Sequence, residues 1–137
     1  MEREIVASSF TFNEYVIRKS VFEINEDFQA VDQIELDFKL NTDIKLSESK
    51  DAALVILICE VFKDPVSNNY PFYIQVEIMG NFSLNGEVDA NLVDLCKVNG
   101  TAILFPYLRA YVSYLTSMAG FPNLLLPTVN VSKMLEE

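Results

Sequence analysis

One stretch of the sequence has the clearest periodicity in the chain. Every even position from Ile34 to Leu46 carries an apolar residue or threonine, and every odd position between them carries a charged residue or asparagine. Successive side chains of a β-strand point to opposite faces of a sheet, so this pattern predicts a strand with one dry and one wet face. At about 3.3 Å per residue the strand would be roughly 40 Å long, which is more than a domain of this size needs for its own core.

Three further segments have strand patterns. Glu14–Asn25 has apolar residues on both faces, and its charged run Arg18-Lys19-Ser20 indicates a bulge or a change of register. Ala52–Phe62 is almost continuously apolar, as expected of a central strand buried on both faces. Tyr70–Ser83 alternates again, and Gly80 within it is typical of a bulge. We therefore expect four strands in the first 83 residues.

The remainder of the chain predicts helices. Residues 88–98 form a first helical piece, which we expect to break at Asn99-Gly100. Spacings of three and four then predict a main helix with one broad apolar stripe. The stripe consists of Ile103, Leu104, Tyr107, Leu108, Tyr111, Val112, Leu115 and Met118. Pro106 is expected to kink this helix or to mark a restart, and Gly120 followed by Pro122 is expected to end it.

The loop after this helix is apolar. Phe121 and Leu124–Leu126 lie around and between two prolines, and such a loop is costly to leave in water, so we expect it to cover a groove or a partner. Strands followed by helices predict an α+β fold, with a four-stranded antiparallel sheet followed by a long broken helix, in a single domain over residues 1–137. One helix covers little of such a sheet, so self-association is expected.

Residue types used in catalysis are scarce. The chain has no histidine, which removes the commonest general base and the commonest metal ligand. It has no glycine-rich phosphate loop, CxxC pair or GxSxG motif. Cys59 lies in an apolar strand, where an inert thiol is expected, and the spacing of Asp89 and Asp94 matches no calcium loop. We expect no enzyme activity, no cofactor and no metal site.

Charge and hydropathy restrict the partners. The net charge is −10, so phosphate backbones and anionic membranes would be repelled and nucleic acid binding is not expected. No apolar run approaches the length of about 18 residues that membrane insertion requires. The amino-terminal residues lack the pattern of a secretory signal, and the two cysteines do not make a disulfide framework. These features predict a cytoplasmic protein.

A family resemblance rests on a series of short motifs. They are Ile103-Leu104-Phe105-Pro106-Tyr107 with Arg109, Gly120-Phe121-Pro122 with Leu124 and Leu126, Pro127 with Val129 and Asn130, and Gly80 followed by Phe82-Ser83 and Gly86. In this order and at these distances they resemble the SecB family of bacterial export chaperones over roughly residues 70–131. The first 69 residues resemble the family in strand pattern and order.

The resemblance implies an ATP-independent holding chaperone that binds unfolded chains or preproteins for export. In the SecB family, the groove for unfolded segments involves the second strand, the apolar face of the last strand and the loop between helices. Carried over to this sequence, the groove predicts ten client-binding residues. They are Ile34, Leu36, Phe38, Phe72, Ile74, Val76, Ile78, Phe121, Leu124 and Leu126.

The resemblance also implies partners. It implies a homotetramer built as a dimer of dimers, with Tyr111 and Tyr114 at the interface. The family contacts the motor protein SecA through a carboxyl-terminal tail and through carboxylates of the open sheet face. Glu23 occupies one such position, whereas Ser20 and Gln75 fall where carboxylates are expected. The chain ends at Glu137, and we therefore expect weak, salt-sensitive binding to SecA.

Two other functions are compatible with these patterns. The first is a specialised SecB-like chaperone that protects one partner, such as an antitoxin. The second is a small-ligand-binding or thioesterase-like α+β protein of the hot-dog kind, which also wraps a sheet around a long helix. The absence of histidine and of a placed acid–base pair counts against the second.

Overall fold

Six helices and strands follow one another in the computed structural model, which describes residues 10–85 and 91–128. They are β1 (Phe10–Ile24), β2 (Phe38–Leu46), β3 (Ala52–Val61), α1 (Pro65–Asn68), β4 (Phe72–Leu84) and α2 (Leu92–Met118). The strands form one antiparallel sheet in the order β1-β4-β3-β2. The α+β fold, with its four-stranded antiparallel sheet and long carboxyl-terminal helix, is confirmed. The predicted helix start at Val88 and the segment after Thr128 lie outside the described residues.

The second strand is shorter than its alternation predicted. It begins at Phe38, so the prediction of a strand from Ile34 and of a length near 40 Å was wrong. The reason lies in its neighbour. β3 ends at Val61, and Phe62 then turns away with a φ of 58°, so residues before Asp37 have no strand to pair with. Residues 25–37 instead form an irregular segment, here called the connector, between β1 and β2.

The two predicted irregularities of the sheet had different outcomes. The change of register in the first strand is confirmed, because β1 shifts against β4 between Ile17 and Lys19. Gly80 shows no bulge and stays in register with both neighbouring strands. An added Cβ there would lie 2.8 Å from Leu104 Cδ2, so this glycine makes room for a side chain of α2.

The main helix is continuous. The predicted break at Asn99-Gly100 was wrong, since α2 runs from Leu92 through Pro106 to Met118. Gly100 is buried where the helix crosses β3, and an added Cβ would lie 2.7 Å from a methyl group of Val55. The glycine therefore permits a close approach of the helix to the sheet, which a pattern of helix-breaking residues cannot distinguish from a stop.

The core lies between α2 and one face of the sheet. Alternate residues of β3 and β4, including Val55, Leu57, Val76 and Ile78, are fully buried against the helix residues Leu104, Leu108 and Val112. Two side-chain hydrogen bonds fasten the helix to the edge strands, from Tyr111 to Ser20 at 2.9 Å and between Thr42 and Thr101 at 2.7 Å. Neither helix in the described part of the chain has a stretch long and apolar enough to cross a membrane.

Candidate binding cavity

An apolar cavity of about 580 Å³ lies at the end of the sheet where β3 turns into β4. Its walls come from the connector, from the β3–β4 turn and the start of β4, and from the loop after α2. The lining residues are Ile24, Asn25, Glu26, Phe28, Ile34, Leu36, Phe62, Pro71, Phe72, Phe121, Pro122 and Leu124. The volume falls within the range of ordinary ligand pockets, and the cavity is large enough to take several side chains of a peptide.

Phenylalanine rings form the floor of the cavity. The ring of Phe72 lies 5.2 Å from that of Phe22, 5.3 Å from that of Phe62 and 5.0 Å from that of Phe121, measured between centroids. The contacts with Phe62 and Phe121 are edge-to-face, the arrangement that the ring quadrupole favours. Two strands, a turn and a loop are thereby joined in one aromatic cluster.

The side chain of Asn25 fixes the first part of the connector. Its Nδ2 donates to the carbonyl oxygens of Tyr70 at 2.9 Å and Pro65 at 3.2 Å, and its Oδ1 accepts from the backbone N–H of Asp27 at 3.0 Å. Asn25 is 7% exposed, so a buried amide with all these partners holds the connector against the β3–β4 turn. Phe28 follows Asp27 and lines the cavity.

Polar side chains of α2 fix the opposite wall. The hydroxyl of Thr116 accepts a hydrogen bond from the backbone N–H of Leu124, and Arg109 Nε donates to the carbonyl oxygen of Leu126. Asn123 Nδ2 donates to the hydroxyl of Ser113 at 3.2 Å. The loop is therefore folded back along the last turns of the helix, and this places Leu124 at the cavity.

One lining residue has an unfavourable backbone conformation. Phe62 adopts a φ of 58°, which bulky residues rarely do and which costs about 1–3 kcal/mol. Its ring stacks on Tyr70 with centroids 4.6 Å apart, and its N–H donates to the carbonyl oxygen of Asp37 at 2.9 Å. These contacts hold Phe62 where its ring forms part of the cavity floor.

The predicted client-binding residues fall into three groups. Ile34, Leu36, Phe72, Phe121 and Leu124 are brought together at the cavity. Phe38 is half-buried at the start of β2 and packs against the core.

The third group consists of Ile74, Val76, Ile78 and Leu126, each with an exposed fraction of 0%. The expectation that these four belong to an open groove is corrected, because α2 covers this face of β4, and Leu126 of the loop after α2 is enclosed in the same core. Contact between a client and the other six residues stays a prediction.

Sequence reasoning missed part of the cavity. Phe62 ends the predicted third strand and Phe28 belongs to none of the predicted strands, helices or sites, yet both line the cavity. Phe28 did carry a signal, since it is a large apolar residue among charged ones. Asn25, which organises the connector, gave no signal, because its partners lie some 40 residues further along the chain.

The residues predicted for other contacts lie elsewhere. Tyr114 is 62% exposed on the outer side of α2, whereas Tyr111 faces the sheet and donates its hydrogen bond to Ser20. Ser20 pairs with Val76 on the helix side of the sheet, so its expected place on the open face was wrong; the register shift in β1 explains this. Glu23 pairs with Tyr73 at the open face.

The two cysteines are buried. Burial raises the pKa of the Cys59 thiol to about 12, and burial also raises that of Cys96, so both thiols stay protonated. Among the residues that line the cavity, Glu26 supplies the charge and Asn25 the amide, and the others are apolar. Such a surface is suited to binding apolar groups.

Comparison with known proteins agrees with this geometry. The family model for preprotein translocase subunit SecB matches residues 6–137. An uncharacterized protein of Methanocaldococcus jannaschii, MJ0357, is 29% identical over 127 residues, which cover 90% of this chain and 81% of that protein. The protein-export protein SecB of Hydrogenovibrio crunogenus is 33% identical over 77% of this chain and 66% of its own length, and that of Idiomarina loihiensis is 32% identical over 69% and 57%.

A solved structure has the same fold. The SecB-like chaperone Rv1957 of Mycobacterium tuberculosis, in complex with a ChAD peptide from the HigA1 antitoxin, superimposes with a TM-score of 0.73 at 16% identity. The match covers 89% of this chain and 91% of that one. Because the family model covers nearly the whole sequence and the architecture agrees, the chain belongs to the SecB family.

Proposed function

We propose that this protein is an ATP-independent holding chaperone that captures apolar segments of unfolded or preprotein chains in its cavity. The observation that carries the proposal is an apolar site of about 580 Å³ to which four phenylalanines contribute, in a member of the SecB family. The lining offers no grouping of nucleophile and base, so binding is the chemistry that it supports. Family membership is the reason for setting aside the hot-dog-like alternative.

The physical basis is burial of apolar surface with little side-chain specificity. An aromatic side chain of a client brings about 150–250 Å² to the site, and each Å² removed from water contributes about 25 cal/mol. Glu26 and a net charge of −10 favour clients with basic residues beside the apolar ones. If the protein forms the tetramer that the family resemblance implies, weak sites add through effective concentration.

The partners follow from the same proposal. We place the protein in the cytoplasm, where its clients are either preproteins for export or one dedicated partner such as an antitoxin. Glu23, on the open face, is the candidate contact for SecA, and the absence of a carboxylate at Gln75 supports weak binding. Capture of clients in cells, followed by mass spectrometry, distinguishes a broad set of preproteins from a single partner.

The decisive experiment measures suppression of aggregation of an unrelated unfolded protein without nucleotide. The unaltered protein should suppress aggregation, and Leu124→Ser should weaken suppression because Leu124 lines the cavity. The matched control is Leu125→Ser, since Leu125 is 59% exposed and does not line it. Light scattering verifies that both variants keep the size of the parent.

Leu126→Ser is the third variant and tests a buried residue of the same loop. Leu126 has an exposed fraction of 0%, so this variant should lose about 2–5 kcal/mol of stability. Equal suppression by the parent and by Leu124→Ser, in correctly assembled protein, would remove the cavity as the client site. Failure of the parent to suppress any aggregation would refute the holding activity itself.

A further inference from the structure

The connector is fastened to the rest of the protein at its two ends. At the first end, Asn25 binds the β3–β4 turn, and Gln29 then exchanges two hydrogen bonds with Asn69. At the second end, the carbonyl oxygen of Asp37 accepts from the N–H of Phe62 at 2.9 Å. The residues to which the connector is hydrogen-bonded all belong to the turn between β3 and β4.

The exchange between Asn69 and Gln29 is reciprocal. Asn69 Oδ1 accepts from the backbone N–H of Gln29 at 2.9 Å, and Asn69 Nδ2 donates to the carbonyl oxygen of Gln29 at 3.0 Å. One side chain thus satisfies both backbone groups of a residue that lies in no helix or strand. We name this contact the Asn69–Gln29 bridge.

The backbone of Asn69 suits this task. It adopts φ 54° and ψ 54°, the left-handed region in which asparagine is among the best-tolerated residues other than glycine. The same conformation ends α1. The identity of residue 69 is therefore compatible with its backbone, and the side chain is available for a contact outside its own turn.

Between the bridge and Asp37, the connector receives no hydrogen bond from the described part of the chain. Among the described residues, none donates a hydrogen bond to residues 30–36 or accepts one from them. This part carries Ile34, which is 40% exposed and lines the cavity, and Leu36, which is half-buried there. Apart from the packing of Leu36 against the core, the position of these residues therefore depends on the two fastened ends.

We propose that Asn69 is a positioning residue for the cavity: through its bridge to Gln29 it holds the connector wall in the arrangement that binds a client. The inference rests on the proposed function and names a residue that lies outside the cavity lining. A wall that is ordered before binding loses less conformational freedom when the client arrives, which lowers the cost of association. Without the bridge this ordering must occur on binding, so the complex dissociates faster.

The test compares two neighbouring asparagines. Asn69→Gly keeps the left-handed backbone and removes both hydrogen bonds of the bridge. Asn68→Ala is the matched control, because Asn68 also donates two hydrogen bonds, to the carbonyl oxygens of Lys63 at 3.0 Å and Asp64 at 3.1 Å. Those acceptors belong to the same turn as Asn68, so the control alters the turn and spares the bridge.

Two measurements are made on each variant. Hydrogen exchange by NMR reports the amide of Gln29, which should exchange at least about tenfold faster in Asn69→Gly and at the parent rate in Asn68→Ala. Stopped-flow fluorescence reports binding to a permanently unfolded probe, reduced and carbamidomethylated lysozyme, which is a basic chain. Asn69→Gly should raise the Kd about three- to tenfold, mainly through the dissociation rate, and Asn68→Ala should leave it unchanged.

The possible outcomes separate the two proposals. Unchanged exchange at Gln29 in Asn69→Gly, or equal changes in Kd for both variants, overturns the role of Asn69 while the cavity remains the binding site. Faster exchange at Gln29 with no change in Kd overturns it as well, because the bridge is then a structural contact alone. A parent protein that does not bind the probe at all overturns the proposed function, whatever the exchange rates show.

Discussion

The hydroxyl of Thr116 joins α2 to the loop that lines the cavity, because it accepts a hydrogen bond from the backbone N–H of Leu124 at 2.9 Å. The same hydroxyl donates within the helix, to the carbonyl oxygens of Val112 at 3.1 Å and Ser113 at 3.0 Å. Thr116 has an exposed fraction of 0%. One buried oxygen therefore connects the last turns of the helix to the loop, and its geometry fixes where Leu124 lies.

Replacement of this hydroxyl by a methyl group should destabilise the protein. Thr116→Val leaves the N–H of Leu124 without its partner, and we expect the free energy of unfolding in urea to fall by about 1–3 kcal/mol. Thr116→Ser keeps the hydroxyl and is the control for the lost hydrogen bond. If the valine variant were as stable as the serine variant, the contact with Leu124 would not be holding the loop.

Gly100 should resist substitution in spite of its position inside a helix. Alanine there gains about 1 kcal/mol of helix propensity, but its Cβ would lie 2.7 Å and 2.9 Å from the two methyl groups of Val55. We expect Gly100→Ala to lose about 1–3 kcal/mol net by overpacking. In a double-mutant cycle with Val55→Ala, the penalty should shrink by about 1 kcal/mol or more. An additive cycle would mean that Gly100 does not contact Val55.

The outer side of α2 should control the size of the assembly. Tyr114 is 62% exposed in the single chain, and we expect Tyr114→Glu to yield smaller particles by light scattering, because a charge cannot be buried there without a partner. Tyr111→Phe is the control. It removes the hydrogen bond to Ser20 within the chain and introduces no charge, so the size of the particles should not change. A Tyr114→Glu protein of parental size would show that this tyrosine faces solvent.

Tyr73 should make stability depend on pH in the alkaline range. Partial burial, and the hydrogen bond of 2.8 Å from its hydroxyl to Glu60 Oε2, raise the pKa of Tyr73 from 10.0 to about 12. The folded state thus favours the neutral phenol, so this stabilisation is complete below pH 10 and is lost as the pH rises towards 12.

Denaturation curves across this pH range test the assignment. The parent should lose stability more steeply than Tyr73→Phe, and a spectrophotometric titration should show that the variant lacks one tyrosine ionising near pH 12. Glu60→Gln provides the control. It keeps Tyr73 and removes the carboxylate that accepts the hydrogen bond, so the pKa of Tyr73 should be raised less. Identical alkaline profiles for the parent and Tyr73→Phe would contradict the raised pKa.

The alternation of apolar residues predicted on which face of the sheet a side chain lies, but it did not predict whether that side chain is exposed. Phe72 and Ile74 belong to one predicted stripe, and both point to the helix side, yet Phe72 lines the cavity and Ile74 is enclosed by the core. The difference depends on where α2 crosses the sheet, and no pattern within a strand contains that information. Ile34 fits the alternating pattern as well as Phe38 does. It nevertheless lies outside β2, because a strand also needs a neighbouring strand to pair with, and the pairing with β3 begins at Phe38.

The hydrogen bonds that hold the cavity walls were harder to predict than the apolar residues of its lining. Gln29 and Asn69 are 40 positions apart, and Thr116 binds a backbone group rather than a side chain. Such contacts join polar residues that are common in loops, so neither composition nor spacing marks them in advance. The apolar loop residues were recognisable because exposure of Phe121 or Leu124 to water is costly.

The strand order has a consequence for how each copy is made. β1 and β2 are neighbours in the chain but lie at opposite edges of the sheet, and the partner of β1 in the described sheet is β4. β1 is synthesised before β4, so that strand stays unpaired until the chain has reached Phe72, the partner of Ile24, and its pairing is completed only at Leu84, the partner of Phe10. Closing so long a loop is slow compared with forming the β2–β3–β4 meander. During its own synthesis the protein thus exposes an unpaired strand, as do the unfinished chains that it is proposed to hold.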